Sequence, residues 1–360
     1  MRLTNSLTRS SLSAVVLLAT ACLATACTDY TTFTIRRGSD KFSQDAPTAV
    51  DILLVVDNTE SMEDDQTRVA ESFGQFISLP DSVNLDYQIA AVTTTVRDPT
   101  FRRDIPCTEE EIAAVPLGGQ LVGGTIVTPE TPNAAAEFAS LLQIGICGHP
   151  QPAGLESARL ALSEPYLSTS SAGFLRPEAS LSVVVVSDSD DDSPAGINDY
   201  LNFFLSLKSG DLRDSFNVSS IVISDWMVCE PAGTNVEAQA NVADRYMRMT
   251  DATDGALGNI CVEDLQPMME ELAHAVTRLE DTFALTSLPN AATIEVTVDD
   301  VPWPCEDGGW AYQFVTNAEG EEEGRIVFDL TSTPGAASEI VVTYEQGNGD
   351  AAAFCPGAAR

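Results

Sequence analysis

The stretch Ala49 to Met62 reads AVDILLVVDNTESM. Between Val50 and Val56 only Asp51 interrupts an apolar run. Such a run reads as a strand buried on both faces, as in a parallel sheet. Asp57 ends it, and Thr59 and Ser61 follow at alternate positions. Open α/β sheets place their ligands at the carboxyl ends of strands. One carboxylate and two hydroxyls there form an all-oxygen set, the chemistry of a hard cation. The competing reading is a helix cap, with Ser61 and Asp64 as a capping box ahead of Val69, Phe73 and Phe76. A cap accounts for Ser61 but for neither Asp57 nor Thr59, and it is compatible with a metal.

Outward from this strand the chain alternates. Glu63 to Ser78 has a helical apolar face, and Tyr87 to Val96 is rich in strand formers. Gln120 to Thr128 is a possible edge strand, and short helices are expected over Asn133 to Ile144 and Gly154 to Ser163. Leu181 to Val186 (LSVVVV) is a second buried strand, ending in Ser187-Asp188. Val218 to Ser224 is a third. Helices are expected over Asn198 to Lys208, Val242 to Met249 and Asp264 to Phe283. Strand and helix in alternation predict a doubly wound, mostly parallel α/β sheet over 46–285. Beyond it the period becomes two: Ile294, Val296 and Val298, then Trp310, Tyr312 and Phe314, then Ile326, Phe328 and Leu330, then Ile340, Val342 and Tyr344. Residues 286–360 therefore read as a small all-β, sandwich-like domain.

The first 27 residues read as a signal peptide. Arg2 and Arg9 precede a short apolar stretch from Leu12 to Ala26, which is poorly suited to spanning a membrane. It ends in LATACLATAC, which looks like a bacterial lipoprotein signal with lipid on Cys27, or alternatively Cys22. Residues 28–45 then form a polar tether. This points to the bacterial cell envelope, as an outer-membrane lipoprotein held to the membrane by its lipid alone. Six further cysteines, Cys107, Cys147, Cys229, Cys261, Cys305 and Cys355, form an even set in an exported chain and predict disulfides. Several connectivities are open. Sequential pairing (Cys107–Cys147, Cys229–Cys261, Cys305–Cys355) keeps each bridge within one segment. With 54 acidic against 18 basic residues the net charge is -36, which argues against nucleic acid as a partner.

Asp57-Asn58-Thr59-Glu60-Ser61 resembles the Asp-x-Ser-x-Ser of the metal-ion-dependent adhesion site in von Willebrand factor type A (vWA) domains, with Thr in place of the first Ser. Asp188, after VVVVS, matches the family's third-loop Asp. VVDNTESM, GLESARLAL and VVVVSDSDDDS also resemble a lineage of exported bacterial vWA lipoproteins. The resemblance spans about two thirds of the chain, from Val50 to Phe283. It implies Mg²⁺ (or Mn²⁺ or Ca²⁺) held by Asp57, Thr59, Ser61 and Asp188, and a protein ligand whose acidic side chain meets the metal. The family's second-loop Thr has no counterpart between Ile144 and Ala158; Gln151 is the oxygen donor in register, with Thr131 a substitute further upstream. The acids Asp190, Asp191 and Asp192 suggest either a shared structural calcium or, for Asp191, a solvated turn whose change to Ala alters little. The alternative functions are a calcium-stabilised envelope protein with a vestigial site and a metal-dependent hydrolase. No G-x-S-x-G, Walker or G-x-G-x-x-G pattern is present, and His149 and His274 read as packing and helix-surface residues, so an enzyme is not expected.

Overall fold

The computed structural model describes residues 36–98, 107–208, 215–229, 242–305, 309–317, 320–329 and 332–349. The expected signal, with Cys22 and Cys27, and Cys355 lie outside them. In chain order the elements are β1 (Arg37–Ser43), β2 (Ala49–Val56), α1 (Glu63–Ser82), β3 (Asp86–Thr93), α2 (Glu109–Ala113), α3 (Ala134–Ser140), α4 (Gly154–Ala161) and β4 (Ser180–Ser187). There follow α5 (Ile197–Leu207), β5 (Phe216–Val222), α6 (Trp226–Cys229), α7 (Asp244–Ala252), β6 (Leu257–Asn259) and α8 (Gln266–Thr277). The chain then runs through β7 (Thr282–Ala284), β8 (Glu295–Val298), β9 (Val301–Pro302), β10 (Trp310–Thr316), β11 (Glu322–Phe328) and β12 (Glu339–Glu345).

β2 to β6 form a five-stranded parallel sheet in the order β3-β2-β4-β5-β6. Alternate side chains of the apolar strands feed two cores. Ile52, Leu54 and Val56 of β2 pack with Val69, Phe73 and Phe76 of α1 and Met269, Leu272 and Val276 of α8. Leu53 and Val55 face the other way, toward Leu155 of α4, Phe204 of α5, and Tyr246 and Met249 of α7. The sheet is therefore sandwiched by helices, as the unbroken apolar runs require. Its order reverses at β2, which puts the switch point between the carboxyl ends of β2 and β4.

The polar break in the β2 run is explained at the other end of the sheet. Asp51 is fully buried. Its carboxylate accepts from Arg176 Nε (2.8 Å), the Arg176 backbone N–H (2.7 Å) and Lys208 Nζ (3.3 Å). A buried charge persists only when paired in this way.

The antiparallel part has two sheets, β1-β12-β8-β9 and β10-β11-β7, closed over one core of Phe283, Ile294, Val296, Trp310, Tyr312, Ile326, Phe328, Ile340, Val342 and Tyr344. Two boundaries differ from the sequence reading. The expected tether over 28–45 contains β1, which pairs with β12 along its whole length. Its one buried residue is Asp40, whose carboxylate accepts from Tyr344 Oη (2.7 Å) and Thr286 Oγ1 (2.6 Å), with Phe42 partly buried beside it. A strand whose buried side chain is an Asp leaves no apolar alternation to read. The helix expected to reach Phe283 stops at Thr277, where Arg278 takes a left-handed conformation (φ 56°), and Phe283 belongs to β7. After β1, the chain thus re-enters the β part at Thr282. The expected edge strand over Gln120 to Thr128 is reduced to a single bridge between Ile89 and Val127.

Cys107–Cys147 and Cys229–Cys261 are bridged as expected, with Cα atoms 5.9 Å and 4.9 Å apart. Cys305 is disulfide-bonded as well. Bridged cysteines fit a chain that folds in an oxidising compartment. No helix among the described residues is long and apolar enough to cross a membrane.

Candidate functional site

The backbone of β2 continues its ladder one residue past Val56, with Asp57 N–H donating to Val186 O at 2.8 Å. The chain then turns sharply, and Thr59 N–H donates to Asp57 Oδ1 at 3.0 Å. A single 3₁₀ turn, Glu60–Met62, leads into α1. The expected capping box is not formed. The N-cap position is Thr59, and its side chain makes no capping bond. Instead the Thr59 and Ser61 hydroxyls lie 3.3 Å from each other. The motif hydroxyls are therefore not consumed by the helix end.

Asp57 has no solvent exposure. Oδ1 accepts from Thr59 N–H and from Thr94 Oγ1 (3.2 Å), and Oδ2 accepts from Ser187 Oγ (2.5 Å). Three donors thus occupy most of the roughly four lone-pair positions of the carboxylate. Asp188 follows Ser187, and its N–H points at Met62 Sδ (3.3 Å). Burial first, and then the charge of Asp188, push the Asp57 carboxyl up to about 6. The Asp188 charge also contributes to raising Asp65, after burial and against the pull of Arg68. Asp57, Asp65 and Asp188 thus share one electrostatic neighbourhood at the switch point.

The turn itself is clasped from behind. Asn58 is buried, its Oδ1 accepting from Thr95 Oγ1 (2.8 Å) and its carbonyl from Gly148 N–H (2.7 Å). Gln66 Nε2 donates to both Asp57 O (2.8 Å) and Gly145 O (2.9 Å). A Cβ on Gly148 would collide with the Asn58 amide, so only glycine allows this approach.

Of the residues predicted for the site, Asp57, Thr59, Ser61 and Asp188 gather at one edge. No hydrogen bond ties Gln151 to them. It is exposed, and only its backbone is engaged, with His149 Nδ1 and Arg97. Thr131 is committed to a local turn, accepting from Thr128 N–H at 2.9 Å. His149 Nδ1 accepts that Gln151 N–H, so in the neutral ring the proton sits on Nε2. The sequence reading missed Thr94 and Ser187, the two hydroxyls that hold Asp57. Their signal was positional: each stands at the carboxyl end of a strand neighbouring β2.

The acidic loop after β4 corrects another expectation. Asp191 is buried rather than solvated. It accepts from Arg245 Nε (3.0 Å), Leu155 N–H (3.2 Å) and Ser193 Oγ (2.6 Å). Asp190 Oδ1 accepts from the Arg245 N–H (2.9 Å). Both Asp191 oxygens are thus spent on protein donors, which does not suit a calcium shared by Asp190, Asp191 and Asp192. The loop instead ties the start of α4 to α7. Cys107, Glu111 and Cys147 also bring ligand-type atoms together, but both sulfurs are in the disulfide.

No protein-family model and no curated protein matches the chain. Among solved structures it is similar to the pilus adhesin SpaC of Lactobacillus rhamnosus GG. One crystal form gives a TM-score of 0.42 at 10% identity, covering 86% of this chain and 43% of that one. The open conformation gives 0.39 at 9%, covering 86% and 42%. The chain spans less than half the length of that adhesin. At this distance the likeness assigns no family, site or partner.

Two predictions follow from the geometry. A carboxyl raised from 3.8 to about 6 binds its proton more tightly in the folded state. Its contribution to stability is therefore greatest at low pH and is lost as pH rises through about 6. Without divalent metal, the wild type should gain about 2 kcal/mol relative to Asp57→Asn between about pH 7 and about pH 4.5. Urea titrations at both pH values measure this, and parallel behaviour of the two proteins would contradict it. Asp191→Ala, which strands Arg245 and an α4 N–H, should cost about 3 kcal/mol in the same assay; a change under about 0.5 kcal/mol would restore the solvated-turn reading.

Proposed function

We propose that this chain is an exported vWA-type binding module that uses a divalent cation, Mg²⁺ or Mn²⁺, to engage an acidic group on a protein partner. The observation that carries the reading is a buried Asp57 within electrostatic reach of Asp188, beside two motif hydroxyls that cap no helix. Carboxylates this close repel, and an all-oxygen set relieves that repulsion best with a hard cation. Thr59, Ser61 and Asp188 would hold the ion directly. Asp57, with most of its lone pairs on Thr59, Thr94 and Ser187, would hold it through water. Bound there, the ion supplies a positive centre with exchangeable water, which a partner carboxylate can replace. Thr94 and Ser187 keep Asp57 oriented, and Asn58 and Gln66 keep the turn closed.

The experiment is thermal melting of metal-stripped protein with Mg²⁺, Mn²⁺ or Ca²⁺. At about a hundred times the dissociation constant the stabilisation should be about 2.7 kcal/mol. Asp57→Ala should show none. With Mn²⁺ bound, water-proton relaxation should fall when an acidic peptide is added. A variant that responds to metal as the wild type does would leave a structural envelope protein as the better reading.

The LATACLATAC segment supports a further part of the proposal, a lipid on Cys27 that holds the module at the envelope. Intact mass of detergent-extracted protein should carry a diacylglyceryl group on an N-terminal Cys27. A lipid-free chain beginning elsewhere would refute it.

A further inference from the structure

We infer that the Cys107–Cys147 bridge is a positioning element of the metal-binding turn, so that the site reaches full affinity only once that disulfide has formed. The inference rests on the metal-binding reading above. Leu141 to Ala153 is a long irregular connection between α3 and α4. Loops of that length without secondary structure are uncommon in compact domains and usually have a use. This one closes on the Asp57–Ser61 turn from two sides of Cys147. Ahead of it, Gly145 exchanges two hydrogen bonds with Gln66, whose amide also holds the Asp57 carbonyl. Behind it, Gly148 N–H donates to the Asn58 carbonyl (2.7 Å), and His149 N–H to Thr95 Oγ1 (3.0 Å), which itself donates to Asn58.

The other end of the bridge is also fixed. Cys107 directly precedes Thr108, whose hydroxyl and Glu111 close a capping box on α2. The segment after α2 is bound to the end of β3, with Thr93 Oγ1 donating to Pro116 O (3.0 Å) and Gly118 N–H to Thr95 O (3.2 Å). The disulfide therefore links two segments that are each anchored at the sheet edge holding Asp57. Neither sulfur belongs to the apolar cores on the two faces of the sheet. Losing the bridge should loosen the clasp and leave the sheet.

In redox terms, Cys107 and Cys147 give up two electrons and two protons, and an external protein disulfide is reduced to its dithiol. A chain still in a reducing compartment would carry the turn but not the closed clasp. The device would delay metal and ligand capture until after export.

The test is calorimetric titration with Mn²⁺ of the full mature chain, with far-UV circular dichroism confirming the fold. Mn²⁺ is the probe because the reduced thiols of Cys107 and Cys147, with Glu111, would themselves hold Zn²⁺. Reduced wild type and Cys107→Ser/Cys147→Ser should bind Mn²⁺ about tenfold to a hundredfold more weakly than oxidised wild type. Reoxidation should restore the wild type only. Cys229→Ser/Cys261→Ser should stay within about twofold, since that bridge makes no bond to the turn. Gly148→Ala keeps the disulfide but pushes on Asn58, and should lose affinity like the first pair even if the serine variant does not fold. The Mn²⁺-induced rise in melting temperature should shrink in step, which loss of a purely structural bridge would not cause. Equal Mn²⁺ affinity in the oxidised, reduced and Gly148→Ala proteins overturns this inference alone. Failure of oxidised wild type to bind Mn²⁺ overturns the metal reading and this inference with it.

Discussion

Asp57 has no solvent exposure, and the surrounding elements each supply it a donor. The turn gives Thr59 N–H, the residue just past β3 gives Thr94, and β4 gives Ser187. Parallel register brings these groups to one level: Val56 pairs with Thr93 on one side and Val186 on the other. The carboxylate can be buried because its hydrogen bonds are satisfied, yet its charge is not neutralised. Among the described residues its donors are all neutral, and Asp188 adds like charge. That imbalance distinguishes this edge from the opposite one. There Asp51 is equally buried but is met by both Arg176 and Lys208.

The two ends of β2 therefore embody two treatments of the same problem. At the amino end, charge is cancelled within the protein, which fixes the strand against the segment at Arg176 and the end of α5. At the carboxyl end, it is left uncancelled on a turn closed by a glycine approach and a disulfide-bearing loop. Local frustration of this kind, held in place by well-packed surroundings, is typical of sites rather than of scaffolds.

What the sequence disclosed followed the apolar pattern. AVDILLVV and LSVVVV read as buried strands because both faces of each are covered, and the switch from helical spacing to a period of two marked the change to antiparallel sheets. What it concealed was polar. β1 buries an Asp, and β6 is only Leu257–Gly258–Asn259, too short for a periodic signal. Thr94 sits within a run of threonines that reads as strand propensity, although one hydroxyl serves Asp57 and the next serves Asn58. Asp191 lies among four acids in a row of polar residues, and nothing in that row foretells Arg245, which arrives more than fifty residues later to bind it. Charge clusters show their sign in sequence, whereas the partner that converts one into structure is a matter of tertiary contact.

The pairing of β1 with β12 has a consequence for how the chain is made. Asp40 and Tyr344 are bonded across 304 residues, so the first described strand waits for the last before its sheet can close. The parallel sheet and α8, the last helix that covers it, are complete at Thr277 and can assemble while the antiparallel part is still emerging. Until then β1 is a free edge carrying Lys41 and an unpaired Asp40, charges that discourage it from pairing with a neighbouring chain. A chain interrupted before Glu339 would retain the Asp57 turn yet leave that strand without its mate. Quality control that senses open strand edges would detect such a product even when its Asp57 edge is whole.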